Sequence, residues 1–190
     1  SLTALALTDI NNTSACLDFV RLASKYNIKP VLGVDFRNGV QQQFVLLAKN
    51  NEGFMQINRY LSYFLHSEEN IPERAKILAN TFVIYPYATF KGDQLSENEF
   101  LGVKIEDLNR LKFSPWRNRL EKLVVLQTVT FINKKGFNTH RLLRAIDNNT
   151  LLSKLPLSEQ GNERDLFLSS KALEMAFQEV PELLENTQDL

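Results

Sequence analysis

A chain of 190 residues with 44% hydrophobic and 23% charged side chains, 7 Gly and 6 Pro, has an ordinary globular composition and is long enough to bury its own core. Basic and acidic residues balance at 22 each, so no global field steers the chain toward nucleic acid or anionic lipid. The single cysteine, Cys16, excludes an internal disulfide and a Cys-based structural zinc site. There is no run of about 18 uncharged apolar residues and no basic-then-apolar start of a signal peptide. A cytoplasmic protein without membrane contact is expected.

The chain opens on Leu2, Ala4, Leu5, Ala6 and Leu7, an apolar run that reads as a buried strand. A start on a core strand, without an initiator Met, leads us to expect further sequence upstream. A first strand lacking its upstream neighbour would leave an open sheet edge, where self-association is expected. Asn11, Asn12, Thr13 and Ser14 are capping-type residues, and Cys16, Phe19, Val20, Ala23 and Tyr26 follow at helical spacing. Pro30 ends that helix and Val31 to Phe36 forms a second buried strand, so residues 1–36 read as a βαβ unit with a parallel sheet.

Asn38-Gly39 signals a hairpin with a type I′ turn, followed by an antiparallel strand over residues 41–48. Asn50 or Asn51 caps a helix carrying Phe54, Ile57, Leu61, Phe64 and Leu65. Residues 67–79 read as a loop with a short helix. Strands are expected at 82–87, 100–103 and 123–131, with a short helix over 106–111. Thr139 is the expected cap of a helix ending near Asp147-Asn148-Asn149, Ser169 or Ser170 starts another, and Pro181 suits the first turn of a terminal one. No internal repeat is visible, and no linker rich in Gly, Ser or Pro divides the chain.

His66 and His140 lack partners at metal-ligand spacing, so His66 reads as a surface residue and His140 as a packing or hydrogen-bonding one. Cys16 lies on the apolar face of its helix and reads as core. Asp9 and Asp35 end two adjacent parallel strands, where ligands and catalytic groups gather. They read either as a pair for a hard cation or acid–base work, or as a loop cap and a turn anchor. No Gly-rich phosphate loop or nucleophile signature occurs.

Local charge is uneven: residues 110–144 hold nine basic side chains against Glu121 alone, while residues 159–189 hold eight acidic against two basic. Arg110, Lys112, Trp116, Arg117, Arg119, Lys134 and Lys135 are therefore candidate contacts. They read either as a surface for a DNA backbone, with Trp116 stacking a base, or as a solvated surface docking on another part of a larger protein.

Several segments resemble the PHP (polymerase and histidinol phosphatase) domain of the bacterial DNA polymerase III alpha subunit. They are Ala6-Leu7-Thr8-Asp9 with its Asn-rich loop, Ile28-Lys29-Pro30-Val31-Leu32-Gly33-Val34-Asp35-Phe36, and Leu47-Ala48-Lys49-Asn50-Asn51-Glu52-Gly53-Phe54. Asn138-Thr139-His140-Arg141-Leu142-Leu143-Arg144-Ala145-Ile146 is similar to the helix after the barrel. Phe167-Leu168, Ala172 to Phe177 and Pro181 to Thr187 are similar to the segment leading toward the polymerase region. The middle, residues 67–122, is shorter than the family pattern and matches poorly.

The resemblance implies an α/β fold: a distorted TIM-like (β/α) barrel over residues 1–135, incomplete because its N-terminal strand is missing, then a helical segment over 136–190. An active member holds a trinuclear metal cluster at the strand ends for phosphoester hydrolysis. Carried over residue by residue, the opening His-x-His would lie upstream of Ser1, and the His after the Asp of Thr-Asp-His falls on Ile10. The strand-two Glu falls on Asp35, and the late Asp-x-His on Thr128 and Thr130.

Asp9, Ile10, Asp35, Thr128 and Thr130 are thus vestigial positions, and neither a metal nor a catalytic residue is expected in this segment. The resemblance implies DNA replication by a parent nucleotidyltransferase, a DNA-directed DNA polymerase using Mg2+, in which this segment is a noncatalytic scaffold. Implied partners are the rest of the alpha chain, the proofreading exonuclease subunit and, through the parent, DNA. The other readings are a metal-dependent phosphoesterase or 3′–5′ exonuclease, and a DNA-backbone-binding module through residues 110–144.

Overall fold

The computed structural model describes residues 3–67 and 69–190, as a mixed α/β chain in two compact units. The first comprises Ser1–Leu126 with Phe177–Leu190, and the second is Gln127–Ala176.

The first unit is built on a six-stranded sheet in the order β1-β2-β3-β4-β5-β6. β1 (Ala4–Leu7) runs parallel to β2 (Lys29–Asn38), and α1 (Cys16–Ala23) connects them, so the βαβ reading holds. Ala4, Leu5 and Ala6 are nevertheless exposed. The apolar run was expected to be buried, but among the described residues β1 is an edge strand with one neighbour. Leu2 lies outside the described residues. The capping-type residues before α1 do not cap it, since its N-cap is Ala15 without a side-chain bond.

β2 and β3 (Gln41–Ala48) form the expected hairpin around the two-residue loop Gly39-Val40. Of the non-Gly and Gly residues with positive φ, only Gly39 (58°) lies in this loop. Glycine in the first central position is the type II′ pattern, so the expected type I′ turn on Asn38-Gly39 is corrected. A register shift between Phe36 and Arg37 places a bulge in this pair, with Arg37 opposite Gln42.

Asn50 Oδ1 accepts the Gly53 N–H at 2.9 Å and starts α2 (Asn51–Ser67). A Cβ on Gly53 would lie 2.0 Å from the Asn80 carbonyl oxygen, so only glycine lets α2 approach that turn. The described part of 67–79 beyond α2 holds no helix; it is tied down instead by Tyr85 and Asn38, which bond Ala75 and Ile71. β4 (Thr81–Pro86) is antiparallel to β3, while β5 (Glu99–Val103) and β6 (Leu123–Val125) continue parallel to β4.

The period of two along β2 and β3 sends Val34, Phe36, Phe44 and Leu46 to one face, where Phe36 packs at 5.1 Å from Phe44 and 5.5 Å from Tyr60 of α2. Val31, Val45, Leu47, Ile84 and Val124 occupy the other, with Leu190 against them. Asp35 shares this second face, opposite Val45. α6 (Glu182–Asp189), preceded by Pro181 as expected, lies along β6.

β6 is shorter than the expected 123–131, because its partner β5 ends at Val103 and the ladder has nothing left to pair beyond Leu126. The 106–111 helix is present as a 3-10 turn (Ile105–Asp107) running into α3 (Leu108–Leu111).

In the second unit α4 (Lys134–Asp147) begins at Asn133, whose Oδ1 accepts the Gly136 N–H. Thr139 is therefore inside the helix rather than its cap, donating its hydroxyl to the Lys135 carbonyl. Phe131, Phe137, Ala145 and Leu155 are buried here, and His140 packs on Phe131 at 5.3 Å, the packing role expected of it. Ser169 caps α5 (Ser170–Ala176) through the Ala172 N–H.

Candidate functional site at the strand ends

β1, β2, β4, β5 and β6 point the same way, so their C-terminal ends share one edge of the sheet. Asp9 and Asp35 meet there through the backbone. The Asp35 N–H donates to the Asp9 carbonyl at 3.1 Å, the Asn11 N–H donates to the Asp35 carbonyl at 3.0 Å, and Ile10 bridges to Asp35. Asn11 takes a left-handed φ of 47°, which asparagine tolerates better than most residues. Its side chain then grips Arg37 twice, accepting the Arg37 N–H at 3.0 Å and donating to the Arg37 carbonyl at 2.8 Å.

The two carboxylates differ. Asp9 is half-buried, whereas Asp35 is 3% exposed. Asp35 Oδ2 accepts two bonds from Arg37, from Nε at 3.0 Å and Nη2 at 2.6 Å, and Oδ1 is buried with no hydrogen-bond partner. Spacing of two along a strand puts both side chains on one face, so the pair is a local consequence of Asp35-Phe36-Arg37. Arg37 was not singled out from the sequence; Asp-x-Arg on a predicted strand was the available signal.

Ile10 is 52% exposed and offers no lone pair. Thr128 and Thr130 belong to the second unit, where the Thr130 N–H donates to the Asp165 carbonyl at 2.8 Å. Among the described residues no three His, Cys, Asp or Glu side chains are grouped to hold a metal ion. A divalent cation needs several converging oxygen or nitrogen donors. Asp9 together with an Asp35 already bonded to a guanidinium, beside Ile10, does not make the donor set of a metal cluster. Cys16 is fully buried beside this edge, and burial followed by the negative charge of Asp9 pushes its thiol up, which disfavours a thiolate nucleophile.

The basic candidates fall in both units. In the first, Arg110 Nη1 donates to the Ala88 carbonyl, Arg119 Nη1 to the Asp93 carbonyl, and Lys112 pairs with Glu179 at 2.6 Å. Trp116 is the second residue of the short turn Pro115–Asn118 capped by Ser114, packs edge-on to Phe90 at 6.1 Å, and carries the Arg119 guanidinium 4.7 Å above its ring. Arg117, half-buried, and Lys112 both favour the Glu179 carboxylate and hold its pKa down, with the Lys112 hydrogen bond the larger influence. Lys134 and Lys135 are exposed in the first turn of α4, in the second unit.

A cleft of about 250 Å³ at the ends of β4 and β5 was not foreseen. Gln42, Pro86, Thr89, Lys104 and Asp107 contribute to its walls, and Gln42 Nε2 is buried without a partner. Burial pushes the Asp107 carboxyl up, although it accepts the Lys104 N–H. Nothing in the spacing of these residues announced that the hairpin and two strand ends would bring them together.

Comparison with known proteins bears on the first part of the chain most directly. Residues 1–90 match the PHP domain. The resemblance read from Thr8-Asp9, the second strand and the segment around Asn50 is thereby shown. The PHP-matching region ends in β5's approach, past the first four strands. The whole chain is similar to the DNA polymerase III subunit alpha of Buchnera aphidicola, 21% identical over 98% of this chain and 20% of that protein. It is also similar to that of Streptococcus pyogenes, 23% identical over 98% of this chain and 18% of the relative. A shorter match to the subunit of Ureaplasma parvum reaches 31% identity over 34% of this chain. The chain spans a fifth or less of the length of these relatives.

Proposed function

We propose that this chain is a PHP-type, incomplete barrel domain acting in DNA replication as a noncatalytic scaffold of a polymerase alpha chain in the cytoplasm. The observation that carries this reading is the commitment of Asp35 to Arg37 beside Ile10, which among the described residues leaves no group of three donors for phosphoester hydrolysis at the strand ends. No helix among the described residues is long and apolar enough to cross a membrane.

The scaffold's partners are the rest of the alpha chain and the proofreading exonuclease subunit. Support comes from the second unit, where Leu142, Leu143 and Ile146 of α4 are each more than half exposed at helical spacing, a surface suited to contact. Polymerase carboxylates using Mg2+ would belong to other parts of the parent.

Two measurements test the reading. Incubation of the full-length protein with a 3′-labelled oligonucleotide and Mn2+ or Zn2+ should release no nucleotide from this domain; release abolished by Asp9→Asn would overturn the scaffold assignment in favour of a nuclease. An immunoblot of source cells should show a band several times larger than 21.8 kDa. A band at the mass of the fragment would remove the replicative polymerase as its context.

A further inference from the structure

We infer that the Arg37 guanidinium is the resident cation of the strand-end site: it balances the buried Asp35 carboxylate from within the chain, in the place where a carboxylate site would otherwise recruit a divalent metal ion. The inference deepens the noncatalytic reading above and rests on it. A carboxylate that is 3% exposed cannot remain charged and unpaired at small cost. The ion pair is itself sheltered, with the Arg37 and Asp35 side chains 18% and 5% exposed.

Three features aim Arg37 at this task. The extra residue of the bulge, Gln43, lies on β3, so β2 keeps its period of two and holds Arg37 on the same face as Asp35. The forked guanidinium delivers Nε and Nη2 to the same carboxylate oxygen, a planar geometry that lysine lacks. Asn11 then ties the Arg37 backbone to the loop after Asp9, so charge balance and loop position depend on one residue. A metal ion entering here would have to displace the guanidinium, and would find Asp35 Oδ1 as the remaining free acceptor of that side chain.

The test compares the 190-residue chain with Arg37→Met, Arg37→Lys and the double variant Asp35→Leu/Arg37→Met, by thermal unfolding with and without millimolar MnCl2. Removing one partner of a sheltered ion pair costs far more than removing both. The midpoint is expected to fall by roughly 10 °C in Arg37→Met, to recover in part in Arg37→Lys, and to return close to wild type in the double variant. MnCl2 should leave the wild-type midpoint unchanged.

An Arg37→Met midpoint equal to wild type would overturn the inference. So would a double variant as damaged as the single one, which would make Arg37 a packing residue rather than a counter-charge; this arm decides even if Arg37→Met does not fold. A Mn2+-induced rise in the wild-type midpoint that disappears in the double variant would also overturn it. None of these readouts involves hydrolysis, so a scaffold reading lost to nuclease activity would be told apart from a failure of the Arg37 assignment.

Discussion

At one border of the sheet β6 is sealed by α6, while at the other β1 is left with its outer edge unpaired among the described residues. Both are short strands with apolar sequences, Ala4–Leu7 and Leu123–Val125, and both use one edge for a parallel neighbour. Thr187 Oγ1 accepts the outward Val125 N–H at 2.7 Å, and Asn186 Nδ2 donates to the Leu120 and Leu123 carbonyls at 2.8 and 2.9 Å. Leu123 and Val124 are consequently fully buried, whereas Ala4, Leu5 and Ala6 are exposed. The comparison shows that apolar composition does not decide whether a strand is buried; the side chains available to satisfy its outer backbone edge do.

The largest effect is expected from opening the sealed border. Thr187→Val keeps the shape of the side chain but removes the acceptor for a part-buried N–H, and Asn186→Ala removes the bonds to the Leu123 carbonyl of β6 and to the Leu120 carbonyl in the turn before it. Together they should cost about 3 kcal/mol, since groups left unsatisfied carry their desolvation penalty. Urea denaturation of the double variant checks this. A loss within about 0.5 kcal/mol would mean that water replaces α6 at β6, and the contrast between the two borders would vanish.

Much of this architecture was legible locally, and what was not divides into two local details and several long-range contacts. The β1–α1–β2 unit, the β2–β3 hairpin and α2 follow from apolar periodicity, Asn38-Gly39 and the Asn50 cap. The turn type did not, because Gly39 stands at the first central position of the loop rather than the second. The strand expected to continue to Phe131 carries the right β-branched residues, but β5 is too short to pair with it. Asp9 and Asp35 were correctly placed at adjoining strand ends, yet the partner of Asp35 lies two residues away and was overlooked. The basic stretch reads as a surface for a DNA backbone or for docking on another part of a larger protein, and the bonds by which Arg110, Arg119 and Lys122 donate to carbonyls of residues 88–97 are contacts that composition cannot reveal.

A second way to sharpen the comparison is pH, because the β5–β6 side depends on a carboxylate that β1 lacks. Burial pushes Glu99 up, but hydrogen bonds from the Ser96 N–H, Arg74 and Tyr85 outweigh it and hold the carboxyl below its ordinary 4.5. A lowered pKa in the folded state stabilises above the unfolded value and loses that contribution as pH falls through the folded one. Glu99→Gln should therefore cost about 1–2 kcal/mol at pH 7, reduced from a fully sheltered pair because Arg74 is 46% exposed, and the difference from wild type should shrink below pH 4.5. Tyr85 behaves in the opposite sense: burial, then its bond to Glu99, raises it from 10 to about 12, so its contribution holds below pH 10 and is lost as pH climbs through 12. Hydrogen exchange at Leu101 and Val124 in acid should accelerate before exchange at Leu32. Equal acceleration at all three would show that Glu99 serves the sheet as a whole rather than one border.

The smallest effect on stability, and the clearest on association, is expected at β1. Leu5 is 37% exposed at the centre of an unpaired edge, so Leu5→Lys buries no charge and should change stability by no more than about 0.5 kcal/mol. An exposed apolar edge strand is a template for pairing with another chain, and a lysine there disfavours that approach through charge and solvation. Sedimentation velocity of the 190-residue chain should show concentration-dependent association that Leu5→Lys reduces and Thr187→Val, acting at the opposite border, does not. If both variants sediment as wild type, the β1 edge is not what brings copies together, and exposure of Ala4, Leu5 and Ala6 would have no consequence for assembly. If Leu5→Lys instead unfolds the chain, β1 would be bound more deeply than its exposure indicates, and the two borders would differ only in which side chains face outward.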